Sequence, residues 1–199
     1  DNIFSKTVVF GLGMTGLFIA DQIRRHHPKA DILFVGRSDE NSKKVIFSKE
    51  IAGAAYLSTA GLSEEETAEK IIEKLGGRAT MFVGTSGAGV EHRVAFQHKV
   101  LGCNGIYNSF SLGPKVTYDT MPFGFENHLI FGSINFRQDH MEKAIEMLAR
   151  SRYDQIVGLI DRAEFADDPM GAYQNKIYCK AAPMKTAVIW NQDFIDTSR

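Results

Sequence analysis

The residues with the clearest chemical potential are three glycines near the start of the chain. Gly11, Gly13 and Gly16 form the pattern Gly-x-Gly-x-x-Gly. The first glycine of this pattern permits a tight turn, the second lets a pyrophosphate approach the backbone, and the third lets a helix pack on a strand. The helix N-terminus, here with Met14 and Thr15, offers free amides to phosphate groups. Glycine is common in this chain, with 18 residues, so a chance match is the alternative.

A second group of candidate residues follows the predicted second strand. An Asp or Glu about twenty residues after the glycines would bind the ribose hydroxyls of NAD. The chain has Gly36, Arg37 and Ser38 there instead. Gly36 leaves room for a 2′-phosphate, Arg37 can pair with it bidentately, and Ser38 can donate a hydroxyl. The pattern favours NADP, with dual use of NAD and NADP as the main alternative. In the other interpretation Arg37 is a solvated loop residue, and Asp39 or Glu40 binds the ribose.

A third group of small residues, from Gly84 to Gly89, ends the predicted fourth strand. Its serine, Ser86, weakly suggests the nucleophile of a hydrolase, but that motif requires glycine two residues later, where Ala88 stands. The preferred interpretation is that Thr85, Ser86 and the glycines let a cofactor lie across the ends of the strands.

The histidines do not indicate a metal site. His26 and His27 are adjacent and point apart, while His92 and His98 are six positions apart and do not share a helical face. No third ligand accompanies either pair. We therefore predict no metal-binding residue in this chain.

Composition and charge narrow the class of partner. The chain has 199 residues, 44% of them hydrophobic and 24% charged, and a net charge of −1. The absence of a basic stripe argues against nucleic acid, and the longest apolar stretch, residues 7–20, contains three glycines and is too short to span a membrane. The cysteines, Cys103 and Cys179, are far apart, so a reducing cytoplasm is expected. The chain begins with Asp1, which we interpret as a fragment or a processed chain.

The elements that position these residues are predicted by alternating β-branched runs and helical patterns. They indicate an α/β fold, a Rossmann-type doubly wound parallel sheet of six strands with extra C-terminal β/α elements. Strands are predicted at residues 7–10, 32–35, 54–57, 80–83, 105–110 and 129–134, and helices at 14–27, 41–51, 63–75, 90–101 and 139–150. Two further strands, 156–159 and 186–190, flank a predicted helix near 165–173. The whole chain is expected to form one NAD(P)-binding domain, with about residues 150–199 docking on a catalytic domain.

Two helix starts carry a capping-box pattern. Ser63 with Glu66 begins one helix, and Asp139 with Glu142 begins the last one. The spacing of apolar residues predicts two inward faces, one of Ala68, Ile71, Ile72 and Leu75 and one of Met141, Ala144, Ile145 and Leu148.

The chain resembles the cofactor-binding, C-terminal part of medium-chain dehydrogenases/reductases, and is most similar to the archaeal-type glucose dehydrogenases. The resemblance covers about residues 7–190. It depends on Val-Phe-Gly-Leu-Gly-Met-Thr-Gly at 9–16, Gly-Arg-Ser at 36–38, Gly-Thr-Ser-Gly at 84–87, Phe-Gly-Ser-Ile-Asn at 131–135, Asp-His-Met-Glu-Lys-Ala at 139–144 and Lys-Thr-Ala-Val-Ile-Trp at 185–190. It implies that Phe110, Ile134 and Asn135 lie beside a nicotinamide ring, and that Thr85 and Ser86 also contact the cofactor.

One departure from that family affects the expected activity. There, catalytic zinc and most sugar contacts come from a domain before the glycine motif, whereas only ten residues precede Gly11 here. Zinc catalysis needs about three protein ligands. We therefore expect an NADP(H)-binding domain of a zinc-type aldose or polyol dehydrogenase that does not turn over substrate alone. The alternative is a stand-alone, non-catalytic domain that senses NAD(P)H. The predicted strand 129–134 is expected to pair with its copy in a homodimer.

Overall fold

The structure of the chain is a computed structural model that describes residues 2–111, 113–117, 119–132, 135–150, 160–164, 171 and 185–189. The chain divides into two compact units, Asp1–Asn135 and Phe136–Arg199.

The first unit contains six strands, which form one parallel sheet. The strands are β1 (Lys6–Phe10), β2 (Asp31–Gly36), β3 (Ala55–Ser58), β4 (Ala79–Gly84), β5 (Leu101–Ser109) and β6 (Leu129–Gly132). The helices are α1 (Met14–His26), α2 (Lys43–Ala52), α3 (Glu64–Lys74), α4 (Gly89–Phe96) and the short α5 (Met121–Phe125). The strand order is β3-β2-β1-β4-β5-β6, which is the doubly wound order and confirms the predicted fold class.

The core lies along the central strands. Val8 and Val9 in β1, and Leu33 and Phe34 in β2, are successive residues that are fully buried. Successive residues of a strand point to opposite faces, so both faces of the sheet are covered. Continuous apolar runs such as these are typical of parallel sheets, and they fix the strand ends from which the candidate residues project.

Strands β1 and β4 are neighbours in the sheet, and the crevice of the fold lies where they end. The chain runs outward from β1 to β3, then crosses back so that β4 pairs with the other side of β1, with Thr7 opposite Met81. Ligands of open α/β sheets bind at the carboxyl ends of the strands at such a reversal of strand order. In this chain those ends are Phe10 and Gly84.

The capping box predicted at Ser63 is present in the structure. The Glu66 amide donates to the Ser63 hydroxyl at 3.1 Å, and the Ser63 amide donates to the Glu66 carboxylate at 2.8 Å. The helix buries Ala68, Ile71 and Leu75 as expected, with Ile72 partly buried. This start positions α3 against the sheet.

Within the first unit, the boundary between α4 and β5 differs most from the prediction. The helix predicted to reach Leu101 ends at Phe96, and β5 begins at Leu101 rather than at Gly105. Lys99 has a φ of 54°, a left-handed conformation that cannot continue a helix. The Ala79 amide then donates to the Val100 carbonyl at 2.8 Å, and Ala79 pairs with Leu101. This pairing lengthens β5. The short helix α5 was not predicted either.

The second unit contains α6 (Gln138–Arg150), β7 (Ile160–Glu164) and β8 (Lys185–Ile189), with β7 and β8 paired in parallel. The strand predicted at 186–190 is confirmed over 186–189. The strand predicted at 156–159 and, apart from residue 171, the helix predicted near 165–173 lie outside the described residues.

The predicted capping box and inward face of α6 are wrong. The helix begins at Gln138, so Asp139 lies inside it. The Asp139 carboxylate accepts from the Arg137 guanidinium at 2.7 and 2.9 Å, and the Glu142 carboxylate accepts from the side-chain Nε2 of Gln138 at 3.0 Å. The side chains predicted to face inward are exposed, namely Met141, Ala144, Ile145 and Leu148.

Two absences hold for the described part of the chain. None of its helices has both the length and the apolar character needed to span a membrane. Nor do its histidine, cysteine, aspartate and glutamate side chains form a group of three that could hold a metal ion.

Candidate functional site

The glycine loop between β1 and α1 is held tightly at two of its three glycines. Gly11 has a φ of +115°, and a Cβ added to it would lie 2.5 Å from Thr85 Oγ1 and 2.9 Å from the Ser86 amide nitrogen. A Cβ on Gly16 would overlap the carbonyl oxygen of Gly11 and lie 3.2 Å from Val9 Cγ1. Both positions therefore require glycine, Gly11 for its conformation and Gly16 for the close approach of α1 to β1.

Gly13 differs from the other two glycines because it faces open space. A Cβ added to it would meet nothing within 4 Å. Its φ of −107° is accessible to any residue, so neither strain nor packing within the described part of the chain requires glycine there. An open position beside a helix N-terminus is where a bulky anion can approach the backbone, so the geometry fits a pyrophosphate.

The N-terminus of α1 presents backbone amides. Among the described residues no side chain caps α1 at Gly13, and the first turn contains no acidic residue. The first amides of a helix have no partner within it and carry partial positive charge. Met14 is half-buried and Thr15 is exposed. This end of α1 therefore attracts an anion electrostatically.

Thr85 connects the end of β4 to the glycine loop. Its hydroxyl lies 3.1 Å from the carbonyl oxygen of Phe10 and 3.0 Å from that of Gly11, and its amide donates to Phe10 at 2.8 Å. These bonds cross the reversal of strand order between β1 and β4. The loop and the end of β4 are thus one connected surface.

The end of β2 forms a second wall of the crevice. A Cβ on Gly36 would lie 3.7 Å from Leu12 Cβ and 3.8 Å from the Leu12 amide nitrogen, so Gly36 borders the glycine loop. Arg37, the next residue, is exposed. The structure shows no partner for its guanidinium within the part of the chain that it describes. The position is open to an anionic ligand.

Tyr56, on β3, is a residue of this wall that sequence reasoning missed. It is buried, and its hydroxyl donates to the Ser38 carbonyl at 2.8 Å. Burial raises its pKa above the ordinary value, against hydrogen bonds that lower it. The tyrosine stays neutral at physiological pH and fixes the loop that carries Arg37. A tyrosine in an apolar strand gives no signal of this contact in the sequence.

Asp39 is oriented by its own loop. Its carboxylate accepts from the Asn41 amide at 2.7 Å, and its carbonyl accepts from the Ser42 amide at 3.0 Å. Both interactions are local turn bonds. A swing of this carboxylate toward a ribose would break the first of them.

Glu91, on α4, joins the loops that follow β4 and β5. It is 1% exposed. Its Oε2 accepts from the Ser86 amide at 3.1 Å and from the Ser86 hydroxyl at 2.6 Å, and its Oε1 accepts from the Ser111 hydroxyl at 3.0 Å. Sequence reasoning missed both Glu91 and Ser111. The sequence did carry one signal for Glu91. It stands three and four positions before Val94 and Ala95, so helical periodicity places it on the same buried face of α4.

The ring of His92 lies beside this network. Its centroid is 4.8 Å from that of Tyr107, and its buried Nδ1 has no hydrogen-bond partner among the described residues. Burial lowers the pKa of His92, while the charge of Glu91 acts in the opposite direction. A histidine in this setting favours the neutral form.

The three residues expected near a nicotinamide ring differ in how they are placed. Phe110 is 39% exposed directly after β5, and its amide donates to the Gly84 carbonyl at 2.9 Å. Asn135 is exposed, three residues beyond the end of β6. Ile134 lies outside the described residues. The structure thus brings the glycine loop, Gly36, Thr85, Ser86 and Phe110 to one edge of the sheet.

Comparison with known proteins gives a fold but no family. The chain matches no protein-family model and no curated protein. Among solved structures it is similar to a Haloferax mediterranei glucose dehydrogenase in complex with NADP, Zn and gluconolactone, at 15% identity and a TM-score of 0.71, over 96% of this chain and 52% of that one.

Two further solved structures have the same kind of likeness. One is a 2R,3R-butanediol dehydrogenase from Bacillus subtilis, at 20% identity and a TM-score of 0.70, over 94% of this chain and 51% of that one. The other is S. aureus TarJ in complex with NADPH, at 13% identity and a TM-score of 0.72, over 96% of this chain and 57% of that one. The chain therefore spans about half the length of these proteins, and over that half it has their fold.

Proposed function

We propose that this chain binds NADP(H) at the carboxyl edge of its six-stranded sheet and is the cofactor-binding part of an oxidoreductase. The observation that carries the proposal is the contrast among the three glycines. A Cβ at Gly11 or Gly16 would collide with the protein, whereas a Cβ at Gly13 would meet only open space. Glycine at an open position next to a helix N-terminus leaves room for the pyrophosphate of a dinucleotide.

The choice of NADP depends on the end of β2. Gly36 borders the glycine loop and Arg37 is exposed without a partner in the described part of the chain, so a 2′-phosphate can reach the guanidinium. Arg pairs bidentately with phosphate oxygens. Asp39, one of the two carboxylates in this loop that could bind a ribose, already accepts from the Asn41 amide. Ser38 completes this end of the site in our proposal.

The order of the strands then sets the direction of the bound dinucleotide. With the 2′-phosphate at β2 and the pyrophosphate at β1, the nicotinamide half extends over the ends of β4 and β5. Thr85, Ser86 and Phe110 lie there, and we propose that they contact this half, together with Ile134 and Asn135. When bound, the nicotinamide supplies hydride transfer at its C4 atom.

We further propose that the parent enzyme is a zinc-type dehydrogenase of an aldose or polyol, of the medium-chain class. Support comes from the glucose and butanediol dehydrogenases among the structural neighbours, one of which contains Zn and NADP. The chain spans about half of their length, so we propose that the substrate groups and any zinc ligands lie in a further domain, on which residues 150–199 dock. We also propose a cytoplasmic location.

The test is a calorimetric titration of the 199-residue chain with NADP and, separately, with NAD. We expect tighter binding of NADP. The Arg37→Ala variant should bind NADP about 10- to 100-fold more weakly, because it lacks a charge-assisted contact. Its affinity for NAD should change little. Lys49→Ala, which removes one positive charge from an exposed position on α2, should leave both affinities unchanged.

Failure of the wild-type chain to bind either nucleotide would contradict the proposal. Equal losses of NADP affinity in Arg37→Ala and Lys49→Ala would show that net charge matters and that Arg37 does not contact the 2′-phosphate.

A further inference from the structure

Glu91, on α4, has a buried carboxylate that lies outside the glycine loop. Burying a carboxylate is unfavourable unless hydrogen bonds compensate for its lost hydration. Here the compensation comes from neutral donors, namely Ser86 through its amide and hydroxyl and Ser111 through its hydroxyl. Glu91 also lies in the first turn of α4, where the helix dipole favours negative charge.

The two serines lie on different loops. Ser86 is exposed, two residues after β4, and Ser111 is half-buried, two residues after β5. The carboxylate of Glu91 therefore bridges the loops at the ends of two neighbouring strands. Ser86 is also close to the glycine loop, since a Cβ on Gly11 would come within 2.9 Å of its amide nitrogen.

The space around this bridge is tight. A Cβ on Gly84 would lie 2.8 Å from Glu91 Oε1 and 2.5 Å from the Tyr107 hydroxyl oxygen. A Cβ on Gly89 would lie 3.5 Å from Pro114 Cγ, an ordinary van der Waals distance, so the start of α4 is close to the segment that follows β5. The carboxylate thus lies close against the end of β4 and connects the two loops through its hydrogen bonds.

We propose that Glu91 is a positioning residue for the nicotinamide end of the bound dinucleotide. It does not touch the cofactor; it holds Ser86 and Ser111 in the arrangement that receives the nicotinamide and its ribose. The inference rests on the proposed binding of NADP(H), because the strand order assigns the ends of β4 and β5 to that half. It goes beyond the glycine loop and Arg37, which serve the pyrophosphate and the 2′-phosphate.

The test compares two ligands that differ in the nicotinamide half. NADPH contains it, whereas adenosine 2′,5′-bisphosphate has only the adenosine end, with its 2′-phosphate and 5′-phosphate. In Glu91→Ala, we expect NADPH affinity to fall about tenfold, the size of effect expected when buried hydrogen-bonded groups lose their partner. Affinity for adenosine 2′,5′-bisphosphate should change less than about twofold, because that ligand does not reach β4 and β5.

Two further variants separate positioning from helix stability. Val94→Ala removes buried apolar contacts of the same helix and leaves the hydrogen bonds of both serines in place. It should lower the affinity for the two ligands equally or not at all. Glu91→Gln keeps the shape of the side chain and an oxygen that can accept from Ser86, and should weaken NADPH selectively by about threefold. This variant decides the matter if Glu91→Ala does not fold.

The possible outcomes are distinguishable. If the wild-type chain binds neither ligand, the proposed function fails. If it binds both, and the Glu91 variants weaken the binding of both equally or of neither, Glu91 only stabilises the fold and the inference is overturned. A loss confined to NADPH supports it.

Discussion

The hydroxyl of Thr85 lies 3.0 Å from the carbonyl oxygen of Gly11, so a side chain after β4 holds the turn after β1. We expect Thr85→Val, which keeps the shape and removes the hydroxyl, to loosen the glycine loop. NADP affinity should fall about tenfold, the loss that corresponds to one well-formed hydrogen bond. Calorimetric titration measures the affinity, and urea denaturation measures any accompanying loss of stability.

Thr80 provides a matched control for Thr85. It lies near the start of β4, the strand that Thr85 follows. Its hydroxyl bonds to Lys6 at the opposite ends of β1 and β4, 3.1 Å from both the amide nitrogen and the carbonyl oxygen. Thr80→Val should lower stability to a similar extent and leave NADP affinity unchanged. If both variants weaken NADP alike, Thr85 acts through general stability rather than through the loop.

Substitution by alanine should lower the stability of the chain at Gly16 and its NADP affinity at Gly13. Gly16→Ala forces a Cβ against the Gly11 carbonyl and should lower the free energy of unfolding by about 1–3 kcal/mol, as overpacking does. Gly13→Ala meets no protein atom within 4 Å and should leave folding nearly unchanged, yet it should weaken NADP at least about tenfold by occupying the approach to the backbone. Urea denaturation and titration together distinguish the two, and normal NADP binding by Gly13→Ala would contradict the phosphate assignment.

His92 should make the stability of the chain depend on pH. Burial lowers its pKa in the folded state, so below about pH 6.5 the unfolded chain binds the proton more readily. The free energy of unfolding should therefore fall as the pH decreases through that value. His92→Phe keeps a ring beside Tyr107 and removes the titration, so its unfolding free energy should fall less between about pH 7.5 and about pH 5.5. An equal fall in both proteins would contradict this expectation.

The edge strand β6 is the surface on which we propose a homodimer. It pairs only with β5 in the described structure, and Leu129 and Phe131 on one face of it are 55% and 41% exposed. An exposed apolar edge favours pairing with a second copy. We expect a dimer by sedimentation at micromolar concentration, and a monomer for Phe131→Lys. Ile46→Lys, an exposed apolar position on α2, should stay dimeric; a monomeric wild-type chain would rule the interface out.

Local signals in the sequence were sufficient for the elements around the glycine loop. Apolar runs ended by glycine predicted β1 and β2, and the spacing of Ser63 and Glu66 predicted the start of α3. The end of α4 was missed because it depends on the left-handed backbone of Lys99, which no lysine signals. Glu91 did leave a signal, its helical spacing to Val94 and Ala95, but Tyr56 and Ser111 were missed for another reason. Their partners lie on other loops or strands, and a hydrogen bond between distant segments leaves no periodic trace.

The adjacency of β1 and β4 also determines when the crevice can form during folding. The bond from Thr85 to Phe10 joins residues 75 positions apart in sequence. Strands β2 and β3, which come between them in sequence, lie on the side of β1 away from β4. Contacts at such separation carry a large loop-closure entropy and form slowly. A partly folded chain that has built only β1, α1 and β2 contains the glycines and the arginine but not the wall opposite them. A ligand that needs both walls binds only the completed fold. It therefore stabilises the native state by mass action and does not assist the early steps of folding.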